Sequence, residues 1–343
     1  MEYQTCLGGT MNWLIAGFAL LLTLSSAAEL QLIDPEQRLP VLQGATNASS
    51  AQFSILYSGT DRPIVTVVAD NDGQARNVQN PEHIRFEKRE YSEWQAIKVF
   101  FQDLVYGPGY YLEVRNSTGK LVDRRKFSLV NTQANKVRLV FVSCSSDELL
   151  LEQGPMWRSL IAARPDLLIM LGDNVYVDRP RGTHPTITAR YIWQRYVETR
   201  NNLDIYKTAH LIPTLATWDD HDYGENDAGR HYPKKVESKY AFMNFWEDGK
   251  NPVRMEHEGI YDAVHIRDGN KVVQILLLDT RTFRSDLLPA KDKKLHRNDY
   301  RPIETTDSTL CSTDDESLET ALVEALTMEW SILDLWKAKC LAI

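Results

Sequence analysis

The segment TWDDHDYGEND, residues 217–227, places five carboxylates and one histidine in eleven residues without a lysine or arginine. Carboxylates that share a partly buried pocket raise one another's pKa unless a positive charge lies among them. A multivalent cation can provide that charge, and carboxylate oxygens are the ligands that hard cations prefer. The segment therefore predicts a metal site to which other parts of the chain bring further ligands.

Four apolar runs each lead directly into a side chain that can bind a cation or react. They end at Cys144 (KVRLVFVSC), at Asp173 (PDLLIMLGD), at Asp220 with His221 (LIPTLATWDDH) and at Asp279 (KVVQILLLD). In open α/β sheets the ligand site lies at the carboxyl ends of the strands. If each run is a strand of one sheet, these side chains meet at one edge, which is the strongest indication of function in the chain.

The residue types indicate which cations would fit. Oxygens of Asp173 and Asn174 suit hard ions such as Ca²⁺, Mg²⁺ or Fe³⁺. Cys144 adds a thiolate, and Tyr176, three residues after Asp173, offers a phenolate. Since thiolate and phenolate beside aspartate favour trivalent iron, we expect a mixed centre in which iron lies beside a harder divalent ion and Asp173 bridges the two.

Other cation sites fit the segment less well. If Asp220 begins an EF-hand loop, position 6 is Glu225 and position 12 is His231, where glycine and glutamate are required. A zinc hydrolase needs a His-x-x-x-His pair or clustered Cys and His, and neither is present. A calcium-dependent adhesion module would use the acids but leave Cys144 and Tyr176 without a role. Taken singly, these two residues are more often packing residues than ligands, and only their shared location favours a metal site.

The elements that must position these residues follow from the apolar pattern after residue 137. Apolar strands alternate with helical segments, which predicts a mainly parallel sheet covered on both faces, with KVVQILLLDTR as its fourth strand. The segment LEQGPMWRSLIAARPD predicts a helix that ends at Pro165. Its predicted buried face consists of Met156, Leu160, Ile161 and Ala163.

Residues 29–134 predict an all-β sandwich of the immunoglobulin or fibronectin type. Short segments rich in β-formers, such as AQFSILYSG, PIVTVVADNDG and WQAIKVFFQDL, are separated by turn signals. The motif DNDG, residues 70–73, favours a plain turn over a calcium loop. No residue here indicates chemistry, so we expect a scaffold or lid, joined to the second domain near residues 131–136.

The first 28 residues predict a signal peptide. An apolar run from Trp13 to Leu24 precedes small residues that end at Ala28, and the run is too short to span a bilayer comfortably. No lysine or arginine precedes the run, so an uncleaved anchor is the alternative. We expect a secreted or periplasmic protein without a stable membrane span beyond this segment.

Length and composition are those of a folded protein of about two domains. The 343 residues are 43% apolar and 25% charged, and the net charge is −8. That charge argues against nucleic acid or an anionic membrane surface as a partner.

Six motifs, VSCSSD, PDLLIMLGDNVYVD, LATWDDHDYGENDAG, SKYAFMNFW, GIYDAVHIRDG and VQILLLDTR, resemble in wording and order the PhoD-like alkaline phosphatases of the metallophosphoesterase superfamily. The resemblance covers residues 137–310. It implies an α/β metallophosphatase-type sandwich, here an incomplete four-layer α/β/β/α fold, preceded by the β-sandwich. It also implies export, hydrolysis of phosphate monoesters and diesters, and a centre of Fe³⁺ and Ca²⁺.

The resemblance assigns metal-binding roles to several residues. Cys144 and Tyr176 would bind iron, Asp173 would bridge to the second metal, and Asp220 would be a ligand of that second metal. Asn226 is a further candidate for a calcium ligand or a phosphate contact.

The resemblance also assigns the catalytic roles. His221 occupies the place of the family's catalytic histidine, where it would hydrogen-bond the phosphate and protonate the leaving oxygen beside Asp220. Asn174 is a candidate for the same machinery. Arg281 would recognise phosphate through its guanidinium or form an internal ion pair.

After Leu310 the sequence departs from the family pattern. Residues 311–343 form an acidic tail that can be an amphipathic helix, with apolar residues at every fourth position: Leu318, Leu322, Leu326 and Trp330. No histidine follows His296, so the second half of the metal site is not found. Two functions are therefore expected. One is a secreted phosphatase or phosphodiesterase of the alkaline phosphatase D type with an incomplete half-site; the other is a catalytically inactive, truncated remnant that binds metal or a ligand.

Overall fold

The computed structural model describes residues 34, 37–70, 78–107, 109–130, 137–179, 185–246, 253–268 and 271–284. The described residues from Leu39 to Arg284 belong to one compact unit. The predicted signal peptide, the DNDG turn after Asp70, the junction at 131–136 and the predicted tail lie outside the described residues. Within the described ranges, no helix combines the length and the apolar character needed to cross a membrane.

The first part of the described chain is an antiparallel β-sandwich, as the sequence predicts. One four-stranded sheet has the order β1-β2-β6-β5, formed by Val41–Gln43 (β1), Ala51–Tyr57 (β2), Gln95–Phe101 (β6) and His83–Lys88 (β5). The other has the order β4-β3-β7-β8, formed by Val78–Gln79 (β4), Ile64–Asp70 (β3), Gly109–Arg115 (β7) and Leu121–Phe127 (β8).

Alternating apolar residues hold the two sheets together. Phe53 and Ile55 of β2 are fully buried and pack with Val67 of β3 and Phe127 of β8 in one core cluster. The rings of Phe53 and Phe127 meet edge to face, with centroids 4.9 Å apart, an arrangement that the charge distribution of aromatic rings favours. The period-2 pattern of the sequence therefore produces the predicted sandwich core.

The second part of the described chain is a parallel β/α region. Its three-stranded parallel sheet has the order β11-β10-β9, formed by Leu139–Val142 (β9), Leu167–Met170 (β10) and Thr214–Ala216 (β11). Its α-helices are Leu150–Ala163 (α1), Ala189–Asn202 (α2), Asp220–Tyr223 (α3), Lys235–Phe245 (α4) and Val253–Glu256 (α5), with a 3₁₀ helix at Asp204–Lys207.

The parallel sheet carries apolar clusters on both faces, as its continuous apolar strands predict, but the cover is incomplete at β9, where Phe141 is 57% exposed. Leu168 and Met170 face a cluster that includes Trp157 of α1 and Phe242 of α4. On the opposite face, residue Ile169 belongs to a second, smaller cluster. This stacking fixes the carboxyl ends of β9, β10 and β11 at one edge.

The prediction of a fourth parallel strand is wrong. Lys271–Leu277 (β13) pairs antiparallel with Asp262–Asp268 (β12) in a separate two-stranded sheet. This hairpin packs on the second face of the parallel sheet through Leu277, which contacts the cluster of Ile169 and Leu215. A strand in a stacked sheet and a strand in the parallel sheet are both apolar runs, so the pattern alone does not separate them.

The predicted buried face of α1 is partly wrong. The helix buries Trp157 and Leu160, whereas Met156 is 41% exposed and Ala163 is also exposed. The buried face is centred on Trp157, which packs in the same cluster as Leu168 and Met170 of β10. The helix does end where predicted: Arg164 takes the left-handed conformation, with φ 47°, just before Pro165.

Buried polar contacts join the sandwich to the β/α region. Arg200 of α2 is fully buried; its guanidinium donates to the Ser54 hydroxyl at 2.8 Å and to the Phe245 carbonyl at 3.0 Å. Beside it, Trp193 and Val197 pack against Leu56 of β2. A buried guanidinium must keep such partners, so these contacts attach the sandwich to the β/α region.

Candidate metal centre

Three loops that follow β9, β10 and β11 build the candidate centre. The first carries Cys144, the second Gly172 and Asp173, and the third leads into α3 with Asp220 and His221. The Cys144 N–H donates to the Gly172 carbonyl at 3.2 Å, and the Ser145 N–H donates to the Asp173 carbonyl at 2.8 Å. The first two loops are thus joined directly behind their functional side chains.

Gly172 permits the close approach of the second and third loops. A Cβ at this position would lie 2.6 Å from the Asp219 Cβ and 2.7 Å from the Asp219 nitrogen. Its φ is +117°, a conformation that side-chain-bearing residues rarely adopt. The Gly-Asp pair of the sequence is therefore needed for its backbone as well as for its carboxylate.

The structure gathers five of the predicted site residues. Ligand atoms of Asp173, Asp220 and His221 lie within 4.8 Å of one another. The Cys144 sulfur lies 3.7 Å from Asp173 Oδ2, and the Tyr176 ring lies 4.3 Å from the His221 ring, centroid to centroid. Cys144 is exposed, Asp173 and Tyr176 are half-buried, and Asp220 and His221 are buried.

Two predicted residues stand apart from this group. Asn174 is fully buried, and its amide donates to the Thr217 carbonyl at 2.8 Å. Asn226 is exposed, and its amide donates to the neighbouring Asp227 carboxylate at 2.5 Å. Asn174 thus supports the loops from behind, while Asn226 lies beside the group at its solvent side.

Asp279, which the strand-end pattern placed at the same edge, is a structural carboxylate. Its oxygens accept hydrogen bonds from the Trp218 indole at 2.8 Å, the Ile260 N–H at 2.8 Å and the Thr282 hydroxyl at 2.7 Å. The backbone N–H groups of Arg281 and Thr282 add two more, each at 2.9 Å. With five donors, this carboxylate holds the end of β13 against the third loop.

The surroundings shift the pKa values of the two carboxylates of the group in opposite directions. Burial raises the pKa of Asp173 to about 6, and the nearby carboxylates of Asp220 and Asp219 add to the shift against the effect of His221. Burial also acts to raise the pKa of Asp220, but the Asp227 N–H, Arg281 and His221 outweigh it and lower that pKa. Asp173 is therefore the carboxylate that most needs a further positive partner.

The pKa values of two further residues of the group are also raised, which favours their protonated forms. Burial acts to lower the pKa of His221, but the hydrogen bond and charge of Asp178 outweigh it and raise that pKa. Burial and the Asp173 carboxylate raise the pKa of the Tyr176 phenol. A phenolate at this position therefore requires a strongly positive partner.

The donor set fits a cation. Asp173 Oδ1 is buried and has no hydrogen-bond partner among the described residues, and an orphaned carboxylate oxygen in this position is available as a ligand. Two carboxylates form the core of the set beside the imidazole of His221, and Cys144 adds a soft donor beside Asp173. Mixed hard and soft donors of this kind are typical of transition-metal sites.

Sequence reasoning missed Asp178, although it lies in the quoted motif GDNVYVD. Its Oδ1 lies 2.7 Å from His221 Nδ1, and its Oδ2 accepts the Asn226 N–H at 2.9 Å. The carboxylate thereby fixes the orientation of the imidazole and leaves Nε2 as the nitrogen available to a ligand. The position of Asp178, five residues after Asp173, does not predict its contact with His221, because that contact joins two different loops.

Asp222 is a second missed residue. It is fully buried, and its carboxylate accepts the N–H groups of Asn174 at 2.9 Å, Val175 at 3.0 Å and Asp219 at 3.0 Å. These bonds join the loop after β10 to the start of α3, so Asp222 sets the distance between Asp173 and Asp220. Of the acids in the 217–227 segment, this one is therefore structural.

Comparison with known proteins gives a family match that begins at the parallel β/α region. The model of the family described as "PhoD-like phosphatase" matches residues 139–333, a range that extends past Leu310. The solved structure described as "Structure of PhoD" aligns with a TM-score of 0.50 and 17% identity, over 72% of this chain and 52% of that chain. That likeness concerns the fold, and the aligned part spans about half of the solved chain. A crystal structure of amylomaltase from Corynebacterium glutamicum aligns with a TM-score of only 0.18 and 12% identity, over 50% of this chain and 25% of that chain. No curated protein sequence matches the chain.

Proposed function

The chain belongs to the PhoD-like phosphatase family, and on that premise we propose that it is a metal-dependent phosphoric ester hydrolase of the alkaline phosphatase D type. The observation that carries the proposal is the gathering of Asp173, Asp220 and His221 within 4.8 Å at the ends of parallel strands. Membership of a phosphatase family implies a phosphate ester as substrate. The proposed substrates include diesters as well as monoesters.

The proposed cofactors are Fe³⁺ and Ca²⁺. Cys144 and Tyr176 would hold the iron, Asp173 would be shared between the two ions, and Asp220 with Asn226 would serve the calcium. Support comes from the donor types and from the buried Asp173 oxygen that lacks a partner among the described residues. When bound, the cations polarise the phosphoryl group and make an attacking water more acidic.

The protein's own residues would bind the ester and move the proton. His221, oriented by Asp178 at 2.7 Å, would donate a hydrogen bond to the phosphate and give its proton to the leaving oxygen. The Tyr176 ring, with its centroid 4.3 Å from that of His221, packs beside the imidazole and supports this orientation. Asn174 would act through the loop that it supports. We also propose export of the chain, supported by the signal-peptide pattern of residues 1–28.

Metal content and hydrolysis together test the proposal. Purified protein should contain iron, show a visible absorption band from a phenolate bound to iron, and hydrolyse bis-p-nitrophenyl phosphate at alkaline pH. Tyr176→Phe should abolish the band, whereas Tyr111→Phe, a matched change in the sandwich strand β7, should leave it unchanged.

Each outcome discriminates between the two expected functions. Iron binding with the band but without hydrolysis of mono- or diesters would support a metal-binding protein that is catalytically inactive. Protein without iron, colour or hydrolysis after incubation with Fe³⁺ and Ca²⁺ would overturn the metal-dependent mechanism.

A further inference from the structure

The acids of the 217–227 segment do have a positive side chain among them, and it comes from outside the segment. Arg281 follows β13, and its Nε lies 2.5 Å from Asp219 Oδ1, while its Nη1 lies 4.0 Å from Asp220 Oδ2. We propose that Arg281 is a phosphate-binding residue of the site, held there by Asp219, and that the same positive charge weakens the binding of cations at Asp220. This inference rests on the proposed function.

The guanidinium is held firmly at the border of the metal group. Its side chain is only 11% exposed. The Arg281 N–H donates to Asp279 Oδ1 at 2.9 Å, so the five-donor carboxylate of Asp279 fixes the backbone from which the side chain extends. The Thr280 hydroxyl shares the Asp219 oxygen at 3.2 Å. An arginine fixed at both its backbone and its Nε loses little further freedom when it binds a ligand.

Part of the guanidinium is left for a ligand. Arginine presents five N–H donors in a planar fork. The bond from Nε occupies one of them, and the buried Nη1 has no hydrogen-bond partner among the described residues. A phosphate oxygen offers the charge and the geometry that this fork prefers. Because Nη1 lies 4.0 Å from Asp220, an anion bound here would also border the group of Asp173, Asp220 and His221.

The same position makes Arg281 a competitor of cations. A positive charge next to Asp220 lowers the negative potential that attracts a divalent ion. One residue thus has two effects of opposite sign, since it favours the anionic substrate and disfavours the cation. A merely structural arginine has no such reversal, because its loss would weaken both kinds of binding.

Two binding constants measured on the full chain test this reversal. Calorimetric titration with Ca²⁺ alone should show that Arg281→Gln binds the ion about fivefold more tightly than wild type. Inhibition by inorganic phosphate, or its direct titration into the Ca²⁺-loaded protein, should show affinity weakened about tenfold or more. Arg281→Lys keeps the charge but not the fork, so it should retain the wild-type Ca²⁺ affinity and lose part of the phosphate affinity.

The controls separate charge from position and from folding. Arg115→Gln removes the same charge from the sandwich hairpin, where Arg115 pairs with Glu113, and should change neither constant. If Arg281→Gln weakens both Ca²⁺ and phosphate binding, Arg281 is structural and the inference is overturned. If both constants match wild type, the inference fails while the proposed function stands. If wild type itself binds no Ca²⁺, the calcium part of the proposed function and the inference both fail.

Discussion

Replacement of Gly172 by alanine should separate the two loops that carry Asp173 and Asp220. The new Cβ would lie 2.6 Å from the Asp219 Cβ and 2.7 Å from the Asp219 nitrogen, and neither atom is the flexible end of a side chain. Overpacking of this kind costs about 1–3 kcal/mol. A side-chain-bearing residue at φ +117° adds strain of about 1–3 kcal/mol. We therefore expect a loss of unfolding free energy of about 4 kcal/mol.

Gly107 offers a matched control. Its φ is +129°, and an added Cβ would meet nothing within 4 Å. Gly107→Ala therefore carries the backbone strain without the collision and should lose about 2 kcal/mol. For a chain of this size, with an unfolding entropy of about 2.1 cal/mol/K per residue, a further 2 kcal/mol corresponds to a difference in melting temperature of about 3 °C.

Two assays check this reasoning. Urea unfolding of both variants measures the difference in stability, and Ca²⁺ titration measures the site, where Gly172→Ala should lose affinity at least about tenfold because Asp173 and Asp220 no longer converge. Gly107→Ala should bind Ca²⁺ as wild type does. If the two variants are equally stable, the collision with Asp219 is not real and the close approach of the loops is refuted.

Three further predictions address other parts of the chain. Asp178→Asn should lower kcat about 10- to 100-fold with unchanged metal content and KM, because the variant loses the contact that orients His221. Asp204→Asn, at an exposed position, is the control. A loss of bound metal as large as the loss of kcat would contradict the positioning role of Asp178. Arg200→Met should lower the unfolding free energy by about 3 kcal/mol in urea, since buried acceptors lose a charged donor; wild-type stability would contradict the buried contact. The pKa of Asp61 is lowered from 3.8 to about 2 by hydrogen bonds from the Ser117 N–H and the Tyr57 hydroxyl, so its contribution is fully present above about pH 4 and is lost as the pH falls through about 2. Asp61→Asn should therefore be less stable than wild type at pH 6, and urea unfolding should show the difference disappearing between pH 4 and 2; a difference that is constant with pH would contradict this.

The gathering of Cys144, Asp173 and Asp220 could be predicted from sequence because it depends on one general rule. Parallel strands end at a common edge, and each of these residues follows an apolar run closely. The rule failed for the run before Asp279, since β13 belongs to a stacked antiparallel hairpin. Its carboxylate reaches the same edge, but five donors occupy it. An apolar run indicates burial of a strand and says nothing of its direction or its sheet.

The positioning residues could not be predicted, because their roles arise from contacts between loops. Asp178 and His221 are 43 residues apart in sequence, and Arg281 and Asp219 are 62 apart. No periodicity or spacing encodes such pairs. Asp222 shows the same limit within a single motif, because the acidic pattern of the 217–227 segment does not distinguish a buried acceptor of three N–H groups from a ligand.

Backbone strain gives an independent reason to regard the three loops as functional. Of the five non-glycine residues with positive φ in the described chain, three lie here: Cys144 at 58°, Asp173 at 54° and Asp227 at 62°. Glycine would adopt each of these conformations without strain. For other residues the same left-handed conformation costs about 1 kcal/mol or more. Asp227 uses its strained backbone to donate to Asp220 at 2.7 Å. The backbone at Cys144 and Asp173 also joins the loops, through the bonds from the Cys144 N–H to the Gly172 carbonyl and from the Ser145 N–H to the Asp173 carbonyl. Glycine could make the same backbone bonds, so the sulfur and the carboxylate are retained at strained positions, as expected of groups that a ligand uses.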